Sequence, residues 1–482
     1  MKVAIISDDK LDYNRNIPFS PSQKYPEYPF SDINSSHNSC YDSIRNLFVS
    51  LNLDLCNYNT PNWNPLGYII GPNDTVVIKP NLVASFDTQA DPWSEALITH
   101  SSIIRAVLDY VYIAMKGSGT IIIGEAPLQS TNFQKVLQTT GINSILDFYN
   151  QNGFVNLKIV DFRTELSTKN KIGLLTKHKL EGDPLGYTII DLDKDSELDT
   201  IISNYKEFRV TNYDKSRMKK HHNEKHNEYL IPNSILTADT IINLPKLKTH
   251  RKAGMTCSLK NLIGINGSKD WLPHHRYGSV EEGGDEYLHK SKRKKILTKL
   301  NEMIDIQQNT LKFLMLKAIY YLIYNFKYII PFRDSYFEGS WYGNNTIPRT
   351  ITDINKIVCY ADKHGSMTDQ IQRKIFIVVD AIIAGEEEGP LKPAPKYCKT
   401  LVAGENSVAV DLVCSQIMGF DWTKIPTFRY AMDSKRYKLF EEKPNNIQIL
   451  ANNCNRFEDL IKKINFHFVP SNGWKKHIEY AK

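Results

Sequence analysis

The sequence predicts an α/β protein with a mixed, mostly parallel sheet flanked by helices, polar insertions and a long amphipathic helix. Three observations carry that expectation. Apolar runs of strand length alternate with segments of helical periodicity through the first third of the chain, the order that builds a parallel sheet with crossover helices. The same alternation returns after residue 236. A content of 41% hydrophobic and 23% charged residues is that of an ordinary globular chain, with no segment polar enough to stay unfolded. Its 482 residues accommodate roughly three domains, or one large α/β unit with insertions.

The elements follow in order. MKVAIIS reads as a first strand and not as a secretory signal, because the apolar run is short and ends in the polar stretch from Asp8 to Lys10. Val76 to Ile78 is a buried strand, Ser101 to Met115 a helix, Thr120 to Gly124 a strand and Asn132 to Tyr149 a helix. Leu157 to Asp161 closes this amino-terminal α/β portion, residues 1–165. Residues 166–235 form a polar, irregular insertion with short strand candidates at Tyr187 to Asp191 and Phe208 to Thr211. The core α/β portion, residues 236–430, holds a strand at Thr240 to Leu244 and a helix from Met255 to Ile263 between Gly254 and Gly264. Its further strands are Ile375 to Val379 and Leu401 to Ala403, before a helix from Val408 to Met418. A helical segment at 288–335 is inserted in this portion, and residues 431–482 are a carboxy-terminal segment.

Charge and cysteine content narrow the function. A net charge of +7 and a pI near 8.7 favour a small anionic substrate, but fall short of the concentrated basic surface of a nucleic-acid binder, so no nucleic acid is expected. The seven cysteines are scattered, without the paired spacing of a zinc or iron–sulfur site, and read as reduced thiols in a cytoplasmic protein. Thr310 to Phe332 has nearly the length of a membrane span but is interrupted by Lys312, Lys317, Asn325 and Lys327. Preceded by the basic run Lys290 to Lys295, it either packs on the body of the protein or makes peripheral contact with the inner face of an anionic membrane.

Several groups of residues are candidates for chemistry. In VVIKPNLV, Pro80 turns the chain out of the strand and presents Lys79 and Asn81 at its carboxyl end, where a lysine is a compact charge for an oxyanion. In INLPKLKTH, alternation places Lys246, Lys248 and His250 on one side; a solvated edge strand would carry the same lysines. The predicted helix that follows sets Lys260 beside Asn261, with the amides of Ala253 to Met255 as an anion-binding amino terminus or a plain helix entry. His222 and His226 would meet on a helix face at metal-ligand spacing, unless that helix is merely solvated. LPHHRYGSVEEGGDEY brings His274, His275 and Arg276 near carboxylates, suited to proton transfer or a bound metal. In IVVDAIIAGEEEGP, Asp380 lies inside an apolar strand and needs a partner, while Glu386 and Glu388 offer metal ligands. Asp411, in the first turn of its helix, is a supporting group at most.

These motifs together resemble the family named domain of unknown function 362. The stretches that carry the resemblance are KPNLV at Lys79, TH at His100, Glu125-Ala126-Pro127, INLPKLKTH, LKNLIG at Leu259, VVDAI at Asp380 and AVDLV at Ala409, spanning about residues 70 to 430. The resemblance adds His100 to the substrate-binding candidates and implies a soluble α/β protein. Some relatives carry a ferredoxin-like segment with clustered cysteines, which this chain lacks, so no iron–sulfur cluster is expected. The run from Lys248 to Tyr287 looks like a branch found among surface-glycan biosynthesis proteins.

The expectation is an enzyme for a phosphate- or carboxylate-bearing metabolite, working by general acid–base or metal-assisted chemistry with a divalent ion. Lys79, Asn81, His100, Lys246, Lys248, Asn261 and Arg276 would bind substrate. Catalysis would fall to His250, His274, His275, Lys260 and Asp380, and metal binding to Glu386, Glu388, His222 and His226. A membrane-recruitment module and an oxidoreductase with an external cofactor are the alternatives; no glycine-rich dinucleotide fingerprint follows any strand.

Overall fold

The computed structural model describes residues 1–86, 92–211, 213–452 and 454–480. Its centre is an 11-stranded sheet. In chain order the strands are β1 (Lys2–Ser7), β2 (Thr75–Pro80), β3 (Thr120–Glu125), β4 (Leu157–Asp161), β5 (Thr240–Leu244), β6 (Lys246–His250), β7 (Gly254–Thr256), β8 (Lys374–Glu388), β9 (Lys392–Gly404), β10 (Gln448–Ala451) and β11 (Cys454–Arg456). They lie side by side as β11-β10-β1-β9-β8-β5-β2-β3-β4, with β6 along the far half of β8 and β7 beside β6. The run β8-β5-β2-β3-β4 is parallel, whereas β9 is antiparallel to both β1 and β8.

Burial explains the strand sequences. β2, β3 and β5 are unbroken apolar runs because both faces of the sheet are covered. Val76, Ile78, Ile121, Ile123 and Ile242 join the core on one face, with α1 (Ser101–Ala114) packed over them. Val77, Ile122 and Ile241 point the other way, into the core shared with α5 (Ile347–Tyr360) and α6 (Ser407–Met418). Three further helices border the site: α2 (Ser258–Asn261), α3 (Lys292–Ile306) and α4 (Thr310–Asn325).

Three expectations need correction. Asn132 to Tyr149 is two helices, Phe133–Thr140 and Ile142–Gln151, because Gly141 takes a left-handed φ of 76° and ends the first. Met255 does not start a helix: Gly254, at φ 80°, turns the chain into the β6–β7 hairpin, and α2 begins only at Ser258. The insertion is structured, with antiparallel pairs Glu165–Lys169 with Leu175–Lys179 and Tyr187–Asp191 with His226–Pro232. The amphipathic segment packs on the body by one side, where Phe313 is buried and Leu316 and Tyr320 lie against Leu174 and Ile304, and its other side is exposed. No helix among the described residues is long and apolar enough to cross a membrane.

Candidate anion-binding site

Parallel strands deliver their carboxyl ends to one edge of the sheet, where ligands of open α/β folds bind. β2 brings Lys79 there and β3 brings Glu125. Lys79 Nζ donates to Glu125 Oε2 at 2.8 Å and to the Pro80 carbonyl at 2.7 Å, and the pair is buried. Glu125 also accepts from the Leu82 amide at 2.9 Å. Gly264 passes over this pair so closely that a β-carbon there would press on the Glu125 carboxylate and the Lys79 ammonium. Lys79 is thus committed to Glu125, and burial lowers its pKa from the ordinary lysine value.

β5 and β6 form one strand broken at Pro245, which has no N–H for the ladder but accepts at its carbonyl from the Asp380 amide at 2.9 Å. Beyond the break, Lys246, Lys248 and His250 do share a side, yet they meet different surroundings. Lys246 Nζ lies 2.6 Å from Asp380 Oδ2 and donates to Tyr13 Oη at 2.7 Å. Tyr13 Oη donates to Asp380 Oδ1 at 2.6 Å, and the His100 amide donates to Oδ2 at 3.0 Å. The His100 ring stacks on Tyr13 with centroids 4.1 Å apart. All four groups are buried and line none of the hollows described below. Asp380, expected to be catalytic, and Lys246 and His100, expected to touch substrate, are therefore a closed strut: the two buried charges neutralise each other, and the Tyr13 hydroxyl and the His100 amide supply further hydrogen bonds.

The next two positions reach open space. Two adjoining hollows of about 240 and 110 Å³ share walls that include Val83, Tyr213, His250, Lys260 and His274. Lys248, Lys269, Asn81 and Asn261 line the inner hollow, and Arg251, Lys252 and Asp305 the outer one. Lys248 Nζ donates to Asn81 Oδ1 at 3.0 Å and to the Leu97 carbonyl at 2.6 Å. Asn81 Nδ2 donates in turn to Asn261 Oδ1 at 3.2 Å. Lys252 Nζ donates to Thr211 Oγ1 at 2.8 Å and Lys269 Nζ to the Ile263 carbonyl at 3.2 Å. Lys260 has no hydrogen-bond or ion-pair partner among the described residues, although it projects from α2 into both hollows.

Burial pushes the Lys252 and Lys260 ammonium groups down to about 8 and Lys269 to about 7. Lys248 is held well below the ordinary lysine range by burial and by the nearby Lys246 and Lys260. The carboxylates of these walls do not compensate: Glu125 is spent on Lys79, and burial raises Asp305 to about 7. The two imidazoles are neutral, since burial and the surrounding cations hold both well below the usual histidine value. Their hydrogen bonds fix opposite tautomers. His250 Nδ1 accepts from the amides of Lys252 and Ala253, both at 3.1 Å, which leaves a proton on Nε2. His274 Nδ1 faces the Leu272 carbonyl at 2.7 Å and must donate, which leaves Nε2 as a bare base.

Of the sequence candidates, Asn81, Lys248, His250, Lys260, Asn261 and His274 thus gather at one place. His275 lines a third, smaller hollow of about 60 Å³ with Arg209, Glu286 and Glu338, and its buried Nδ1 has no partner. Burial raises Glu286 there to about 7. Arg276 is held by Thr346 and the Gly283 carbonyl, near Asp285, and fixes its own loop. His222 and His226 do not share a helix face. They belong to two strands of a hairpin, His222 bonding the Trp271 carbonyl in the interior and His226 meeting Asp191 at the surface. Glu386 and Glu388 accept from the amides of Val469 and Asn472, and no hydrogen bond or ion pair among the described residues joins either to a histidine side chain. The four proposed metal ligands are accordingly dispersed. Asp411 sits beyond the first turn of α6, and its carboxylate caps α2 by accepting from the amides of Ser258 and Leu259 at 2.7 and 3.0 Å. Sequence reasoning misses Lys252 and Lys269, the first because its position reads as a helix entry and the second because nothing but its charge marks it.

A family model described as "Domain of unknown function (DUF362)" matches residues 76–185 and 192–416. The chain belongs to that family. No curated protein matches it. The DUF362 match takes in every lysine and histidine of the two hollows, while Tyr13, which closes the Lys246–Asp380 pair, lies outside it.

Proposed function

We propose that this DUF362 protein is an enzyme that holds a small phosphate- or carboxylate-bearing metabolite in the paired hollows and moves protons on it. The observation that carries this reading is the unpartnered Lys260 ammonium, in walls that also hold Lys248, Lys252 and Lys269 against two carboxylates that are paired or half protonated. An anion entering there supplies the missing counter-charge, and the low-polarity surroundings strengthen its attraction. His274 Nε2 can accept a proton and His250 Nε2–H can donate one, and lysines that titrate near neutrality serve either way. A divalent cation fits these walls poorly, because the charge is of its own sign and no cluster of free carboxylates faces it. General acid–base chemistry is thus the better supported of the two mechanisms. A substrate from surface-glycan biosynthesis rests only on the resemblance of the Lys248 to Tyr287 run.

Calorimetric titration with sulfate and pyrophosphate tests the binding. The wild type takes up the anion, and Lys260→Ala weakens it by about 10-fold to 100-fold, the worth of one charge-assisted hydrogen bond. No uptake by the wild type, or equal affinity in the variant, sinks the reading. For the chemistry, a panel of phosphorylated and carboxylated sugars followed by NMR in deuterated water should show conversion or exchange that His274→Gln abolishes while sulfate affinity is kept.

A further inference from the structure

We infer that the α3–α4 hairpin is a docking surface for an anionic lipid bilayer. Leu311, Met315, Ile319, Leu322 and Phe326 recur at helical spacing along the outer side of α4, and all are exposed. Leu311 is 69% and Leu322 76% exposed, and the chain continues into Tyr328 at 80% and Ile329 at 74%. Met303 and Ile306, on α3, are exposed as well. The inner side is accounted for: Phe313, Leu316 and Tyr320 pack on Leu174 and Ile304. An apolar surface of this extent marks an interaction site.

Charge selects the occupant. Residues 290–333 hold ten lysines and arginines against Glu302 and Asp305, an excess of eight in a chain whose total is +7. Lys292, Lys299, Lys312, Lys317, Lys327 and Arg333 have no carboxylate partner among the described residues. Basic side chains around an exposed apolar stripe match a membrane whose headgroups are anionic and whose acyl boundary accepts leucine and aromatic rings. A second copy of the chain is a worse match, since a two-fold contact would set the same cations against each other. The helix lies along the bilayer and does not cross it, being too short and too charged. On the protein side, Leu297, Thr298, Asp305 and Tyr320 of the hairpin wall the smallest hollow, and Asp305 also lines the outer of the two larger ones. The inference stands on the surface pattern and does not depend on the reading of the hollows.

Co-sedimentation of the full chain with vesicles tests it. Vesicles of phosphatidylcholine mixed with phosphatidylglycerol should carry the protein down, phosphatidylcholine alone should not, and high salt should release it. Lys312→Glu with Lys327→Glu should weaken binding at least about fivefold for each lysine removed. The apolar test uses Met315→Glu with Leu322→Glu, two exposed positions where folding is not at risk, and binding should be lost. Equal recovery on both vesicle types overturns the inference, as does unchanged binding by either double variant. A wild type that is dimeric by light scattering, becomes monomeric with Leu322→Glu and ignores vesicles would assign the surface to a second copy and overturn it as well.

Discussion

Asp380→Asn is the sharpest test of the claim that this carboxylate holds the sheet edge together and does no chemistry. The substitution leaves the Lys246 ammonium buried without a counter-charge, its protons received by neutral acceptors, among them Tyr13 Oη and the Ile383 carbonyl at 2.7 and 3.2 Å. Removing one partner of a buried pair costs about 3–5 kcal/mol. The upper end is set by neutralisation, because deprotonating an ordinary lysine at neutral pH costs about 5 kcal/mol. With an unfolding entropy of roughly 2 cal/mol/K per residue, a chain of this length loses about 1 °C of melting temperature per kcal/mol, so the variant should melt about 3–5 °C lower. Lys246→Met alone should fall by less, since Asp380 keeps the Tyr13 hydroxyl and the His100 amide as donors. The double variant, which removes both charges, should melt above the additive expectation by about 1 °C or more. Calorimetric scans of the four proteins complete the cycle. Strict additivity, or a drop under about 1 °C for Asp380→Asn, would refute the strut.

Three other outcomes follow from the same geometry. Lys269, Lys252 and Lys260 titrate lower in the folded chain than in the unfolded one, at about 7, 8 and 8. Their burial penalty is therefore full below pH 7 and is relieved as pH rises toward the ordinary lysine value, so the melting temperature without anion should gain a rising contribution above neutrality that Lys269→Met flattens. Sulfate, which does not titrate in this range, should bind more weakly as pH rises through 7 to 8, because the lysines that hold it lose their protons; a flat profile would remove these lysines from the site. Gly264→Ala drives a methyl group into the Lys79–Glu125 pair and should cost about 1–3 kcal/mol, read as a lower melting point together with weaker sulfate binding.

The parallel core was legible because strands covered on both faces leave an unmistakable apolar signature, as at Val76 to Ile78 and Thr240 to Leu244. Where sequence reasoning went astray, a local pattern was satisfied by another structure. Met255, Leu259, Leu262 and Ile263 have helical spacing, yet Gly254 turns Met255 into a strand first. His222 and His226 have the spacing of a helix face, but the chain between them makes a hairpin. The gathering of Lys248, His250, Lys260 and His274 could be anticipated because they lie within 27 positions of one another. The part Tyr13 plays beside the Lys246–Asp380 pair could not, since Tyr13 is 367 residues from Asp380 and only the completed fold brings it there.

The interruption at Pro245 has a consequence for how this family can vary. In an extended chain, successive side chains face opposite ways, so which residues look into the cavity depends on whether the count from Leu244 to His250 is odd or even. Gaining or losing one residue there would turn Leu247 and Thr249 toward the cavity in place of Lys248 and His250, leaving Lys252, Lys260 and Lys269 to supply the charge. A change of two residues would instead keep the same side chains turned toward the cavity.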